Sequence, residues 1–296
     1  MVRLRQFFGK YLFFLVFPAV FLAIDLTLSA VFPPYVISSG RFYLNDYEVT
    51  RRDHPEEVWD KVFFGNSAVV SAYREDVSES GYINLGLDYG VLTDLWEMIQ
   101  KGVITLGSEL VLGMNDLTLY DRFDTNPTYP WHQEFYEPYS YFARDRLTVM
   151  IRDAGNRLLT GAEPAYGAYA NQTKIFYYGA MSRAELEEKA AASVYEHLPV
   201  SDFQKNMDTL AKLADYCAER GVRLRCVWMP ANPDITPSDE MNAVRDQAAA
   251  VCREKQVEFY NMEDALEAEC FYDSGHLNYE YGSYRFTEVI DPWLAS

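Results

Sequence analysis

Four short blocks of this chain hold side chains suited to acyl-transfer chemistry. Gly65-Asn66-Ser67 offers a hydroxyl, Gly86 closes Asn84-Leu85-Gly86, Gly113-Met114-Asn115-Asp116 offers an amide, and Asp273-Ser274-Gly275-His276 pairs a carboxylate with an imidazole. A serine hydroxyl is a poor nucleophile until a base accepts its proton, and His276 can be that base. Asp273 precedes it by three residues, so one turn of chain can set the carboxylate against the imidazole, selecting the tautomer and stabilising imidazolium. Gly275 eases that turn. Attack on a carbonyl also needs donors where the oxyanion develops. The backbone N–H groups of Ser67 and Gly86 and the side-chain amide of Asn115 can supply three, and glycine at 86 lets a substrate approach the backbone closely. Each block has a plainer reading. Gly-Asn-Ser and Asn-Asp at strand ends commonly cap helices, and a glycine ending a strand is commonly a turn. The joint occurrence of all four, in this order and each at a strand end, favours a single site.

Residues as far apart as Ser67 and His276 meet only if the fold carries them to one place. Lys61–Gly65, Tyr82–Gly86, Ser108–Asp116, Val222–Pro230 and Val257–Met262 read as short apolar strands. Val91–Gly102, Ser201–Gly221 and Ser238–Lys255 read as helices between them, the second capped by Ser201 and ended by Gly221. Strands alternating with helices predict right-handed crossovers and a five-stranded parallel sheet covered on both faces, in three α/β/α layers. Ligands of such sheets bind beyond the carboxyl ends of the strands, where all four blocks fall. The alternation breaks over about 117–200, an aromatic-rich insertion followed by a charged helix at 182–198. Tyr129, Trp131, Tyr136 and Tyr139 can stack on sugar rings, and His132 and Arg144 can bind polar or anionic groups. The same aromatics can equally form a small satellite core. The acidic runs Glu75–Glu79 and Ala184–Lys189 read as solvated faces.

The chain of 296 residues is 49% hydrophobic and carries a net charge of −18, so it can bury a substantial core and its surface repels phosphate backbones. Nucleic acid is not an expected partner, and neither a metal nor a cofactor is expected. Residues 11–32 form an apolar run broken only by Asp25, and their 22 residues suffice to cross a hydrocarbon core of roughly 30 Å. Arg3, Arg5 and Lys10 precede the run, which puts residues 1–10 in the cytoplasm and the rest outside. A cleaved signal peptide is the other reading, and both export the remainder. Residues 33–58 read as a polar stalk and 59–296 as the globular domain. Four cysteines, Cys217, Cys226, Cys252 and Cys270, allow either buried thiols or bridges.

The GDS-like block at Ser67, Gly86, the G-x-N-D at 113–116 and the D-x-x-H at 273–276 resemble the four blocks of the SGNH (GDSL-like) hydrolase superfamily, over about 60–296. The resemblance implies a flavodoxin-like fold and ester hydrolysis or acyl transfer, with Ser67 as nucleophile, Gly86 and Asn115 as oxyanion residues, and Asp273 and His276 completing the triad. Asn66 stands where aspartate is usual, and it is counted with the substrate-binding residues. With the anchor and the D-x-x-H-L-N-x-x-x-x-G run at 273–282, the chain also resembles single-pass cell-surface proteins of lipoteichoic acid D-alanylation and alginate-type O-acetylation. That likeness implies an acylated envelope glycan or its acyl donor as partner, beside a membrane-bound O-acyltransferase. The G-x-N-D block is closer to ordinary SGNH esterases. Readings of other classes are a non-catalytic glycan-binding scaffold of such a complex and a lipase acting on the membrane.

Overall fold

Val62, Phe63 and Phe64, Leu110, Val111 and Leu112, and Cys226 and Val227 are buried without a break. Continuous burial on both sides of a strand is the pattern of a parallel sheet covered on both faces. The computed structural model describes residues 2–31, 45–123, 125–126, 129–132, 158–161, 174–193 and 197–296. They fall into two units, one of Met1–Asn45 with Pro127–Gln172 and one of Asp46–Asn126 with Thr173–Ser296.

The larger unit runs, in chain order, α2 (Asp46–Asp53), β1 (Val58–Gly65), α3 (Ser67–Ala72), β2 (Ile83–Gly86), α4 (Leu92–Gln100), β3 (Thr105–Met114), α5 (Asp116–Leu119), α6 (Arg183–Ala192), α7 (Gln204–Arg220), β4 (Arg223–Trp228), α8 (Asp239–Glu254), β5 (Glu258–Asn261) and α9 (Gly282–Leu294). The smaller unit contributes α1 (Val2–Val31) at the start of the chain. The sheet order is β2-β1-β3-β4-β5 with every pair parallel. This is the flavodoxin-like order, whose direction of winding reverses between β1 and β3. Phe63, Val111 and Val227 point to the face covered by Ala68, Val69 and Ala72 of α3 and by Phe286 and Ile290 of α9. Strand alternation sends Val62, Phe64, Leu110, Leu112 and Cys226 to the other face, where α4, α7 and α8 bury Leu95, Met98, Leu210, Leu213, Val244 and Ala248.

The register aligns three glycines across the carboxyl edge, Gly86 and Gly113 each opposite Gly65. A Cβ on Gly86 would lie 2.6 Å from both Cγ2 and the backbone nitrogen of Val70, and one on Gly65 would lie 2.7 Å from the Gly113 carbonyl. The glycine row therefore lets α3 lie directly on the sheet edge.

Several ends follow local rules. Gly221 closes α7 in the left-handed region at φ 70°, and Ser238 caps α8 through the Met241 N–H at 3.1 Å. Ser201 does not cap α7, because Val200–Phe203 forms a 3₁₀ turn. The Asp121 carboxylate caps it instead, accepting from Lys205 N–H at 2.8 Å and Asn206 N–H at 2.9 Å. The expected stalk is also corrected over Asp46–Asp53, which forms a helix with Asp46, Tyr47 and Thr50 buried. Tyr47 packs near Trp59, and Asp46 Oδ2 accepts the Asp88 N–H at 2.5 Å. The four cysteines are free and buried.

In the smaller unit, α1 is a single helix of 30 residues that accommodates Pro18. Phe14, Phe17, Val20 and Leu22 are exposed, whereas Asp25 and Ser29 of the same helix are buried. Among the described residues no helix is long and apolar enough to cross a membrane.

Candidate active site

Asn66 leaves β1 in extended conformation and caps α3, its Oδ1 accepting the Ala68 N–H at 2.9 Å. The cap sets Ser67 at the first position of the helix, over the carboxyl edge of the sheet. Ser67 Oγ lies 2.9 Å from His276 Nε2. His276 Nδ1 lies 2.9 Å from Asp273 Oδ2 and 3.1 Å from Oδ1. A carboxylate only accepts, so Nδ1 carries the proton and Nε2 presents its lone pair to the serine hydroxyl.

Asp273 and His276 do not follow a strand directly. They sit in a tight loop between β5 and α9, closed by the Phe271–Leu277 bridge and by Tyr272 N–H to His276 O at 2.8 Å. Asn232 fixes the loop from the end of β4, its Nδ2 donating to the Asp273 carbonyl at 3.1 Å. Within the loop, Asp273 Oδ1 accepts the N–H groups of Gly275 at 3.0 Å and His276 at 2.8 Å. Burial alone would raise the Asp273 carboxyl, but hydrogen bonds from His276, Lys189 and the Gly275 backbone, with the charge on His276, hold it well below the usual carboxylate range.

Asn115 caps α5 at the carboxyl end of β3. The Asn115 carbonyl oxygen accepts from Asn66 Nδ2, Thr118 N–H and Thr118 Oγ1, each at 2.9 Å. Those three contacts fix the orientation of the amide. Among the described residues neither Asn115 Nδ2 nor the Ser67 N–H has an acceptor. Gly86 differs from expectation, since its N–H donates to Asn84 Oδ1 at 2.9 Å. Asn84 spends its own NH2 group on the Val69 and Tyr73 carbonyls at the end of α3. The Gly86 N–H is therefore already engaged, and a side chain at this position would meet Val70. The signal was local, because asparagine commonly binds the backbone N–H two residues on.

Of the expected substrate-binding residues, Asn66 is buried and orients Asn115 rather than facing a ligand. Tyr129 and Trp131 are also buried, stacked on each other at 4.4 Å with His132 beside them, so their faces are not open to a sugar. Arg144, Tyr136 and Tyr139 lie outside the described residues.

Two residues at the relay, Tyr177 and Lys189, were not foreseen. Tyr177 packs its ring on His276 at 4.3 Å and on Tyr272 at 5.0 Å. Burial raises its hydroxyl, and Asp88 and Asp273 add to that shift. Asp88, in the loop after β2, has a carboxyl raised by burial and drawn partly back by His276. Lys189 Nζ lies 2.6 Å from Asp273 Oδ2, reaching over from α6. The acidic composition around Lys189 concealed it, and nothing within the sequence ties Tyr177 to His276.

No family model matches the chain, and no curated protein does. Solved structures resemble it remotely. The acetyl xylan esterase AlAXEase has 10% identity over 79% of this chain and 98% of its own, with a TM-score of 0.37. Est24, a carbohydrate acetylesterase from Sinorhizobium meliloti, has 10% identity over 80% of this chain and 98% of its own, with a TM-score of 0.40. The aryl esterase of M. smegmatis has 8% identity over 79% and 98%, with a TM-score of 0.35. Likenesses this remote carry no argument about chemistry, which rests on the residues of this chain.

Proposed function

We propose that the chain is a serine esterase or O-acyltransferase of the SGNH type, working through an acyl-Ser67 intermediate. The observation that carries this reading is the relay from Ser67 Oγ through His276 to Asp273, at 2.9 Å on each side of the imidazole. Ser67 Oγ attacks the carbonyl carbon of an ester as its proton passes to His276 Nε2. The carbonyl oxygen becomes an oxyanion held by the Ser67 N–H and Asn115 Nδ2. As the carbonyl re-forms, the C–O bond to the alcohol breaks, and the alcohol leaves with the proton from His276. Water, or a sugar hydroxyl, then gives its proton to His276 and attacks the acyl-serine by the reverse steps. Water makes the protein an esterase, and the sugar makes it a transferase.

The substrate proposed is an acylated envelope glycan, with the 11–32 segment as a single-pass anchor and the larger unit outside the cell, beside a membrane-bound O-acyltransferase. What supports this part is the apolar run behind Arg3, Arg5 and Lys10.

The test is intact-mass spectrometry of the full chain in detergent after exposure to a fluorophosphonate, with Ser67→Ala alongside. One adduct on Ser67 that the variant lacks is expected. A folded chain that takes no adduct would overturn the reading in favour of a binding protein.

A further inference from the structure

Asp273 accepts from more groups than the relay requires. The Gly275 and His276 N–H groups and His276 Nδ1 all come from its own loop. The fourth donor, Lys189 Nζ, comes from α6 and makes the shortest contact, 2.6 Å to Oδ2. Its placement is built. A capping box between Ser182 and Glu185 starts α6. Met181 N–H ties that start to Tyr272 O at 2.8 Å, one residue before Asp273. Leu186, the buried residue of the helix, stands three positions before Lys189 on the same face.

The charges around His276 explain what such a contact does. Asp273 lies against Nδ1, and Asp88 acts on the ring from the loop after β2. Tyr177 packs its ring on the imidazole, and Ser67 takes Nε2. On α6, Glu185 is engaged at the helix cap, and Glu188 lines the same cavity as Lys189 and Tyr272. A carboxylate held against an imidazole favours its protonated form, which cannot accept the proton of Ser67.

We propose that Lys189 is a positioning residue that sets the acid limit of the reaction: its ammonium neutralises Asp273, opposes charge on His276, and so keeps Nε2 able to accept from Ser67 in more acidic solution. This rests on the reading of Ser67, His276 and Asp273 as the reacting groups. Lys189 is half exposed, 49% by side-chain area, so solvent screens the effect and bounds its size.

The test compares the full chain with Lys189→Gln and Lys189→Arg by two measurements. One is the pH dependence of Ser67 acylation by p-nitrophenyl acetate. The other is the pH midpoint of the His276 ring-proton NMR signals, assigned with His276→Ala. Lys189→Gln is expected to move the acid limb of the rate profile and the NMR midpoint upward together, by about 0.5–1 pH unit. Lys189→Arg, which keeps the charge, restores the wild-type midpoint. Thermal melts verify folding, and Lys189→Met removes the same charge should the glutamine variant unfold. Superimposed midpoints for wild type and Lys189→Gln would overturn the proposal and leave Lys189 a tether for α6. If Ser67 is not acylated but the midpoint still moves, the electrostatic role of Lys189 stands and the proposed reaction fails.

Discussion

Asn66 Nδ2 donates to Asn115 Oδ1 across 2.9 Å, joining the carboxyl end of β1 to that of β3. These are the two strands between which the sheet reverses its winding, and the bond crosses that crevice. It makes one asparagine the orienting group of the other. Asn66 uses its oxygen to hold α3 and Ser67, and its nitrogen to fix the Asn115 amide.

Removing the Asn115 donor should therefore slow acylation more than it alters folding. Asn115→Ala is expected to lower kcat by about 10²–10³-fold. Asn66→Ala should lower both kcat and stability, since it also removes a helix cap worth about 1 kcal/mol. Steady-state kinetics beside thermal melts check this. Unchanged kcat in Asn115→Ala would remove that amide from the oxyanion site.

Gly86→Ala tests the role of the glycine row. A Cβ there meets the Val70 backbone nitrogen, which cannot swing aside as a side chain could. The substitution should cost about 1–3 kcal/mol as α3 is pushed off the sheet, and Ser67 should lose reactivity with it. Urea unfolding gives the stability and fluorophosphonate labelling the reactivity.

The depressed carboxyl of Asp273 fixes a sign. A carboxyl lowered in the folded state contributes stability that is present above the unfolded value of about 3.9 and is lost as pH falls through the folded value. Asp273→Asn should melt earlier than wild type at pH 7, and the gap should narrow below about pH 4. Melting curves from pH 7 to pH 2.5 measure it. A gap that widens toward acid would contradict the assignment.

The cysteines give a separate check on the core. Cys217, Cys226, Cys252 and Cys270 are buried thiols, and burial pushes the Cys217 thiol up to about 12 and the Cys270 thiol to about 11. Iodoacetamide should not modify the folded chain. After unfolding in guanidinium without reductant, mass spectrometry should find all four alkylated. Fewer adducts would show disulfides.

Whatever depends on a few neighbouring residues was legible in the sequence. The strand and helix alternation, the Gly221 stop and the Asp273-x-x-His276 turn are each set by side-chain period, backbone conformation or a hydrogen bond spanning three residues. The rule that parallel strands present their carboxyl ends along one edge places Gly65, Gly86 and Gly113 together, whereas Asp273 and His276 reach Ser67 from a loop beyond β5.

Contacts made across the chain were decided only by the tertiary structure. Asp121 replaces Ser201 as the cap of α7 because Val200–Phe203 forms a 3₁₀ turn and the distant Asp121 carboxylate lies against that helix end. Asp46–Asp53 is a packed helix because Tyr47 and Thr50 find a buried surface that their own polar composition does not announce. The Gly86 N–H is already taken because Asn84 is drawn to the end of α3. Lys189 meets Asp273 across 84 residues because Leu186 anchors its helix on that face. The energies that place these groups are burial and pairing with partners far along the chain, so they act only once the sheet has assembled.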